Sequence, residues 1–196
     1  MACNLVHVKK GDNDCKENPA GVSSYCMIIP LDSNHIALKE DGVTLDISVD
    51  DTKNQYKITP AGSTQSTPKP LAGFRVDFKS QTGQVSSEDN GAGKGNTVTG
   101  TGRVEIGIDK MALLSRRLSN LDGNFLAFFP TGITDPTDGK EWLIVGNPTG
   151  DISWSRASDT GAARGDDHGT TFTVVCDFQV YDTVKYYGEI SEDTES

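Results

Sequence analysis

Long apolar runs are missing from this chain. No stretch approaches the roughly 18 apolar residues that a membrane-crossing helix needs, so no transmembrane span is expected. The opening residues, MACNLVHVKKGDN, hold no apolar segment of the kind that marks a secretory signal, and the expected setting is a cytoplasm. Positive charge is also scarce. Lys and Arg number 18 against 28 Asp and Glu, and the net charge of −10 excludes the basic face that wrapping nucleic acid requires. The three histidines are scattered, and the four cysteines (Cys3, Cys15, Cys26, Cys176) show no CxxC or metal-finger spacing. A zinc site is therefore rejected. Without a secretion signal the cysteines read as free thiols.

What is present points to strands and loops. A chain of 196 residues fits one domain with a sizeable core, and 21 glycines with eight prolines suit a loop-rich β protein. The clearest local pattern runs from Gly102 to Gly132 and reads strand, helix, strand. Residues 103–108 alternate, with Val104, Ile106 and Ile108 on one face. Asp109 offers a cap to a helix over 110–121, whose Met111, Leu114, Leu118 and Leu121 form one apolar stripe. Asp122 and Gly123 supply the stop. Phe125, Leu126, Ala127, Phe128 and Phe129 then form a run apolar on both faces, a strand expected to be covered on both sides.

The other elements are read in the same way. Residues 1–21 read as an N-terminal arm, followed by a central strand at 22–31. Residues 36–38 and 43–49 read as strands, and 55–59 as a short one. Residues 60–70 form a Pro/Gly/Ser/Thr loop. Phe74, Val76 and Phe78 share one side of a strand at 74–78. Residues 81–101 read as a long flexible loop, with Gln84, Glu88, Asp89, Lys94 and Asn96 as its candidate contact residues. Residues 132–140 read as a turn-rich connection, and 142–145 with 151–156 as a hairpin about GNPTG. A glycine-rich loop spans 158–169. The last strand, 170–181, puts Phe172, Val174, Cys176 and Phe178 on one face, and residues 188–196 read as a flexible acidic tail. The expected fold is mainly β: a β-sandwich or partly open barrel of about eight strands, with one helix packed on a face.

No catalytic pattern survives inspection. The segment GAGKGN at 91–96 lacks the Walker glycine, because Glu88 holds that position, and no Ser or Thr follows Lys94. Asp166, Asp167 and His168 sit between turn glycines with no second ligand cluster. No G-x-S-x-G elbow occurs. The adjacent carboxylates Glu88–Asp89 and Asp50–Asp51 face opposite ways on a strand. Trp142 and Trp154 are either a glycan platform or core and interface anchors. Neither an enzyme nor a cofactor is expected.

Taken together, GVSSYCMIIPLD (21–32), the segment from Phe74 through GRVEIGI (74–108), KMALLSRRLSNL (110–121) and 141–178 form a pattern. The last carries Gly146, Gly150, Gly161, Gly165, Asp166, Asp167, Gly169 and the Thr-rich residues 170–173 in order. The pattern resembles the tail tube proteins of long-tailed bacteriophages, especially the divergent versions in phages and prophages of Bacteroidetes. The resemblance implies a structural virion protein, assembled in the bacterial host cytoplasm. Its homo-oligomeric rings, commonly of six, would join strands of one sheet into an inner β-barrel, with the helix outside. Residues 81–101 and the arm would reach a neighbouring ring as rings stack. Other tail or connector proteins would be partners, and DNA would pass an acidic lumen without specific binding; no membrane is involved. The alternative is a non-catalytic β-sandwich that decorates a capsid or binds glycans.

Overall fold

The structure is a computed structural model and describes residues 24–51, 53–79, 82–91, 95–104, 108–137, 139–149, 152–159, 169–179 and 184–193. The expected N-terminal arm, Lys94 and the Asp166–His168 cluster lie outside those residues, as does the side chain of Met111. The described chain is mainly β, with twelve strands in two sheets and one helix.

The larger sheet is built on two strands that are apolar on both faces. In β1 (Tyr25–Pro30), Cys26 and Ile28 point one way while Met27 and Ile29 point the other, and all four are buried. Strand β7 (Phe125–Asp135) repeats the arrangement: Phe125, Ala127 and Phe129 on one side, Leu126 and Phe128 on the other. Such strands need cover on both sides, which makes them interior. Around them stand β2 (Ile47–Asp50), β3 (Gln55–Ile58), β4 (Leu71–Asp77), β8 (Gly139–Val145), β11 (Val184–Tyr187) and β12 (Ile190–Glu192). The order is β12-β4-β1-β7-β8-β11-β3-β2. The β12–β4 and β11–β3 pairings are parallel, and the others are antiparallel.

The smaller sheet has the order β5-β6-β10-β9, antiparallel throughout. Its strands are β5 (Gln84–Asp89), β6 (Asn96–Val104), β9 (Ile152–Asp159) and β10 (Gly169–Gln179). Its inner face packs on the larger sheet through Val98, Val104, Ile152, Phe172, Val174 and Cys176. Helix α1 (Ile108–Leu121) completes this first core with Leu114 and Leu118, and Leu121 packs against it partly buried. The helix stops where Asp122 and Gly123 both turn left-handed. A second core lies on the other face of the large sheet, where Ile36, Leu71, Trp142, Ile144, Val184 and Tyr186 gather. Ile47 from one edge strand belongs to it, and Ile190 from the opposite edge strand packs against it. The large sheet therefore curls around its own concave face without closing.

Several expectations need correction. The expected long loop 81–101 is instead the hairpin of β5 and β6. Glycine hid it. Gly100 and Gly102 occupy the inward slots of β6, because a Cβ there would meet the rings of Phe129 and Phe78 at 2.5 Å. Those rings stack with centroids 6.0 Å apart and fill the space themselves. Strand 103–108 shifts likewise: β6 ends at Val104, and Ile108 is already helical, so Asp109 lies inside the helix and does not cap it. Residues 36–38 make only isolated bridges. Asp41 Oδ1 accepts from Val43 N and Thr44 N, so the chain turns where a strand was expected, and β2 begins only at Ile47. The 132–140 connection is mostly strand, since β7 runs through a bulge to Asp135.

The expected hairpin about GNPTG is a crossover, with β8 in the large sheet and β9 in the small one. A turn signal says that the chain turns, not which sheet it rejoins. The acidic tail is tied down as well: β12 pairs with β4, and Asp193 N donates to Gly73 O. Charge on its side chains did not prevent pairing of its backbone.

Candidate functional site

The region left open by this packing is the outer face of the small sheet, together with both of its edges. Strand alternation sends Val98, Val174 and Cys176 inward, so Thr97, Thr99, Thr101, Thr171, Thr173 and Val175 stand outward. Register then aligns the outward residues across all four strands. Gln84, Thr101, Thr173 and Ser155 form one row, and Ser86, Thr99, Val175 and Ser153 the next. Neighbours in a row are about 4.8 Å apart, and rows are about 6.8 Å apart along the strands. Seven of these eight side chains are neutral and polar, and none is ionisable. The result is an uncharged, mainly hydroxyl band crossing the sheet from edge to edge.

Carboxylates gather at one end of the sheet, and Arg103 stands outward toward the other. Glu88 is paired with Thr97, whose Oγ1 donates to Asp177 Oδ1 at 3.0 Å and accepts from Asn90 Nδ2 at 3.0 Å. Asp89 Oδ1 accepts from Gly91 N at 2.8 Å, which shapes the turn. Asn96 Nδ2 donates to the carbonyl of Gln179 at 3.4 Å and so joins β6 to the end of β10. Of the candidate contact residues, Gln84 lies in the neutral band, Glu88 and Asp89 lie at the turn end of β5, and Asn96 opens β6. They share one hairpin but form no single cluster. The sequence reading missed Ser86, Thr99, Thr101, Thr173, Ser153 and Ser155. The period-2 threonines of NTVTGTG and TTFTVV carried that signal.

No strand pairs with either edge of this sheet among the described residues, although Ile152 N donates to Gly123 O at 3.4 Å where β9 begins. Strand β5 is exposed over most of its length, and β9 is exposed from Ser155 to Ser158. Because three antiparallel pairings link β5 to β9 through β6 and β10, the two edge strands run in opposite directions. Beside β9, a notch is lined by Leu118, Asp122, Ile152 and Trp154. Trp142 is far from any platform role: it is 1% exposed in the second core and donates through Nε1 to Gly188 O at 2.9 Å.

Elsewhere the ionisable groups serve the fold. Glu141 is 5% exposed, and its Oε2 accepts from Tyr187 OH at 2.6 Å and from Lys185 Nζ at 2.9 Å. It lines a recess of about 310 Å³ with Ser24, Tyr25 and Thr131. Burial pushes the Cys26 thiol up, with the charge of Asp77 adding to the effect. Burial likewise pushes the Tyr186 phenol up to about 12, with Glu189 contributing. The hydrogen bond with the Thr44 side chain, then those from the Val43 and Thr44 amides, pull Asp41 down to about 2. None of these groups borders the hydroxyl band. Among the described residues no group of three or more His, Cys, Asp and Glu converges as a metal site, and no helix is long and apolar enough to cross a membrane.

Comparison with family models, curated proteins and solved structures finds no match to this chain.

Proposed function

We propose that this protein is a structural subunit of a bacteriophage tail ring or tube, whose small sheets join edge to edge into a closed barrel through which DNA passes. One observation carries the reading: an antiparallel sheet with two free edges of opposite direction and a bare, polar outer face. An even number of strands matters here. When identical copies stand in the same orientation around an axis, β9 of one meets β5 of the next antiparallel, so ring closure continues the hydrogen-bond ladder. Closure also removes two edges that would otherwise invite uncontrolled pairing. In the large sheet both faces of the central strands β1 and β7 are buried, so its centre has no comparable bare surface to contribute.

On this reading the lumen wall is the neutral band, and the carboxylates Glu88 and Asp177 gather at one rim. DNA would meet a central band with no cations to hold its phosphates, Arg103 standing in the row beyond it, while the net charge of −10 disfavours adsorption to the subunit as a whole. The expectation of an acidic lumen is thereby narrowed to a rim.

Microscopy of the purified chain in negative stain tests the reading, with rings or tubes as the expected outcome. In the assembled state, a Thr99→Cys variant should react with a small maleimide and resist a bulky polymer-linked one. A monodisperse monomer that binds a glycan or a capsid would favour the alternative, a non-catalytic decoration module. The notch beside Trp154, at the free β9 edge, is the feature that recommends that second reading.

A further inference from the structure

Three non-glycine residues among those described adopt a left-handed backbone: Asn54, Asp122 and Phe178. Asn and Asp tolerate that conformation because their short side chains bond locally, and both of these sit in turns. Phenylalanine has no such excuse. Phe178, at φ +62°, is also 71% exposed, so an unfavourable backbone carries an apolar ring into solvent.

The fold explains the backbone but not the ring. A bulge between Cys176 and Gln179 interrupts the β10–β6 register. It turns Gln179 inward, where it is fully buried, its Oε1 accepting from Gly146 N at 3.0 Å and its Nε2 donating to Ile144 O at 3.4 Å. Those bonds tie the end of β10 to the β8–β9 crossover. They need a left-handed residue at 178, and glycine or asparagine would supply it with less strain. Strict alternation would have sent Phe178 into the core with Phe172, Val174 and Cys176, as expected from sequence; the bulge reverses it. A residue that opposes the local preference without serving the fold is a candidate for a contact outside the chain.

Its position selects the partner. Phe178 stands beside the β5–β6 turn, with Gly95 packed against its backbone, at the end of the small sheet and away from both edges. We infer that Phe178 is the apolar anchor by which one ring seats on a second copy of this chain in the next ring. The inference rests on the ring reading above. Edge joining consumes the lateral surfaces, leaving the strand ends as the faces that stacked rings present to each other. Charge agrees with end-on stacking: three carboxylates, Glu88, Asp89 and Asp177, crowd the Phe178 end, while Arg103 and Arg156 stand nearer the other together with Asp159. One exposed ring makes a weak contact. Rotational symmetry repeats it around the rim, and the copies act together.

Three forms of the full chain test this: wild type, Phe178→Asn and Phe178→Tyr. The asparagine variant should melt about 2–4 °C higher, form rings, and need at least about tenfold more protein to stack. The tyrosine variant should stack as wild type does. Rings of Phe178→Asn that stack at wild-type concentration would overturn the assignment and leave the ring reading standing. A lower melting point together with lost stacking would also overturn it, by making Phe178 a folding residue. A wild-type chain that forms no rings would remove both.

Discussion

The two sheets use the same alternation of side chains to opposite ends. In the large sheet, β1 and β7 are apolar at successive positions, so each strand feeds two cores and no face is left over. In the small sheet, β6 and β10 alternate buried Val, Gly, Phe and Cys with outward Thr, so one face is core and the other is bare. The first arrangement maximises burial; the second keeps a surface in reserve. The large sheet thus serves both cores, while the small sheet divides between the first core and the proposed assembly surface. Substitutions in the two should therefore differ in kind, and not merely in size.

The largest loss should come from the second core, which the small sheet does not touch. Trp142→Ala removes a buried indole that donates to Gly188 O and meets Tyr25 edge-on at 6.0 Å. Loss of about 3–5 kcal/mol is expected by urea unfolding. A loss below about 1 kcal/mol would mean that the second core is dispensable, and the contrast between the sheets would collapse.

Alkali probes the same core through Tyr186. Its phenol ionises near 10 when unfolded but is pushed up to about 12 by burial. Between those values the unfolded chain releases a proton that the folded chain retains, so stability falls as pH rises. Below pH 10 the contribution is fully present. By pH 12 about 2–3 kcal/mol should be gone, and Tyr186→Phe should flatten that part of the profile. The buried Cys26 thiol acts with the same sign from its ordinary value of 9.0, so its effect starts at lower pH and survives in the variant. An unchanged slope above pH 10 in Tyr186→Phe would contradict the burial of this ring.

The seam between the sheets should respond at an intermediate level. A methyl group at Gly102 would stand 2.5 Å from Cγ of Phe78, whose ring is wedged against Phe129. Gly102→Ala should therefore cost about 1–3 kcal/mol. Adding Phe78→Leu should recover part of that loss, because the two positions share one space. Additive effects in the double variant would show that the glycine is a backbone requirement and not a packing one.

Gly102 also shows where the sequence could be read and where it could not. The helix was legible, since Leu114, Leu118 and Leu121 repeat at helical spacing and Gly123 ends it. So were β1 and the FLAFF strand, whose apolar density leaves no other place for them. The hairpin was not, because glycines in apolar slots imitate flexibility when viewed without the Phe rings that fill their space. Strand β12 was hidden because Ile190–Glu192 is held through its backbone, which leaves no trace in side-chain pattern. The GNPTG crossover depends on which sheet the next strand joins, a non-local choice. For the candidate surface, the threonine period was present in the chain, but only the register of four strands turns it into a band.

The smallest effect is the most discriminating, because it compares neighbours. Thr99 and Val98 are adjacent on β6 and face opposite ways: Val98 is fully buried in the first core, and Thr99 stands in the hydroxyl band beside Val175. Valine and threonine have nearly the same shape, so exchanging them changes chemistry and little else. Val98→Thr buries a hydroxyl among Phe172, Val174 and Cys176 and should cost about 1–3 kcal/mol. Thr99→Val should change monomer stability by less than about 0.5 kcal/mol, since the residue only trades a hydroxyl for a methyl at the surface. Its effect should appear elsewhere, as lower solubility of the free subunit when an apolar patch grows around Val175. Equal losses for the two exchanges would mean that the outward face is covered within the chain itself. In that case the small sheet would be a second buried layer, with no wall to offer a ring.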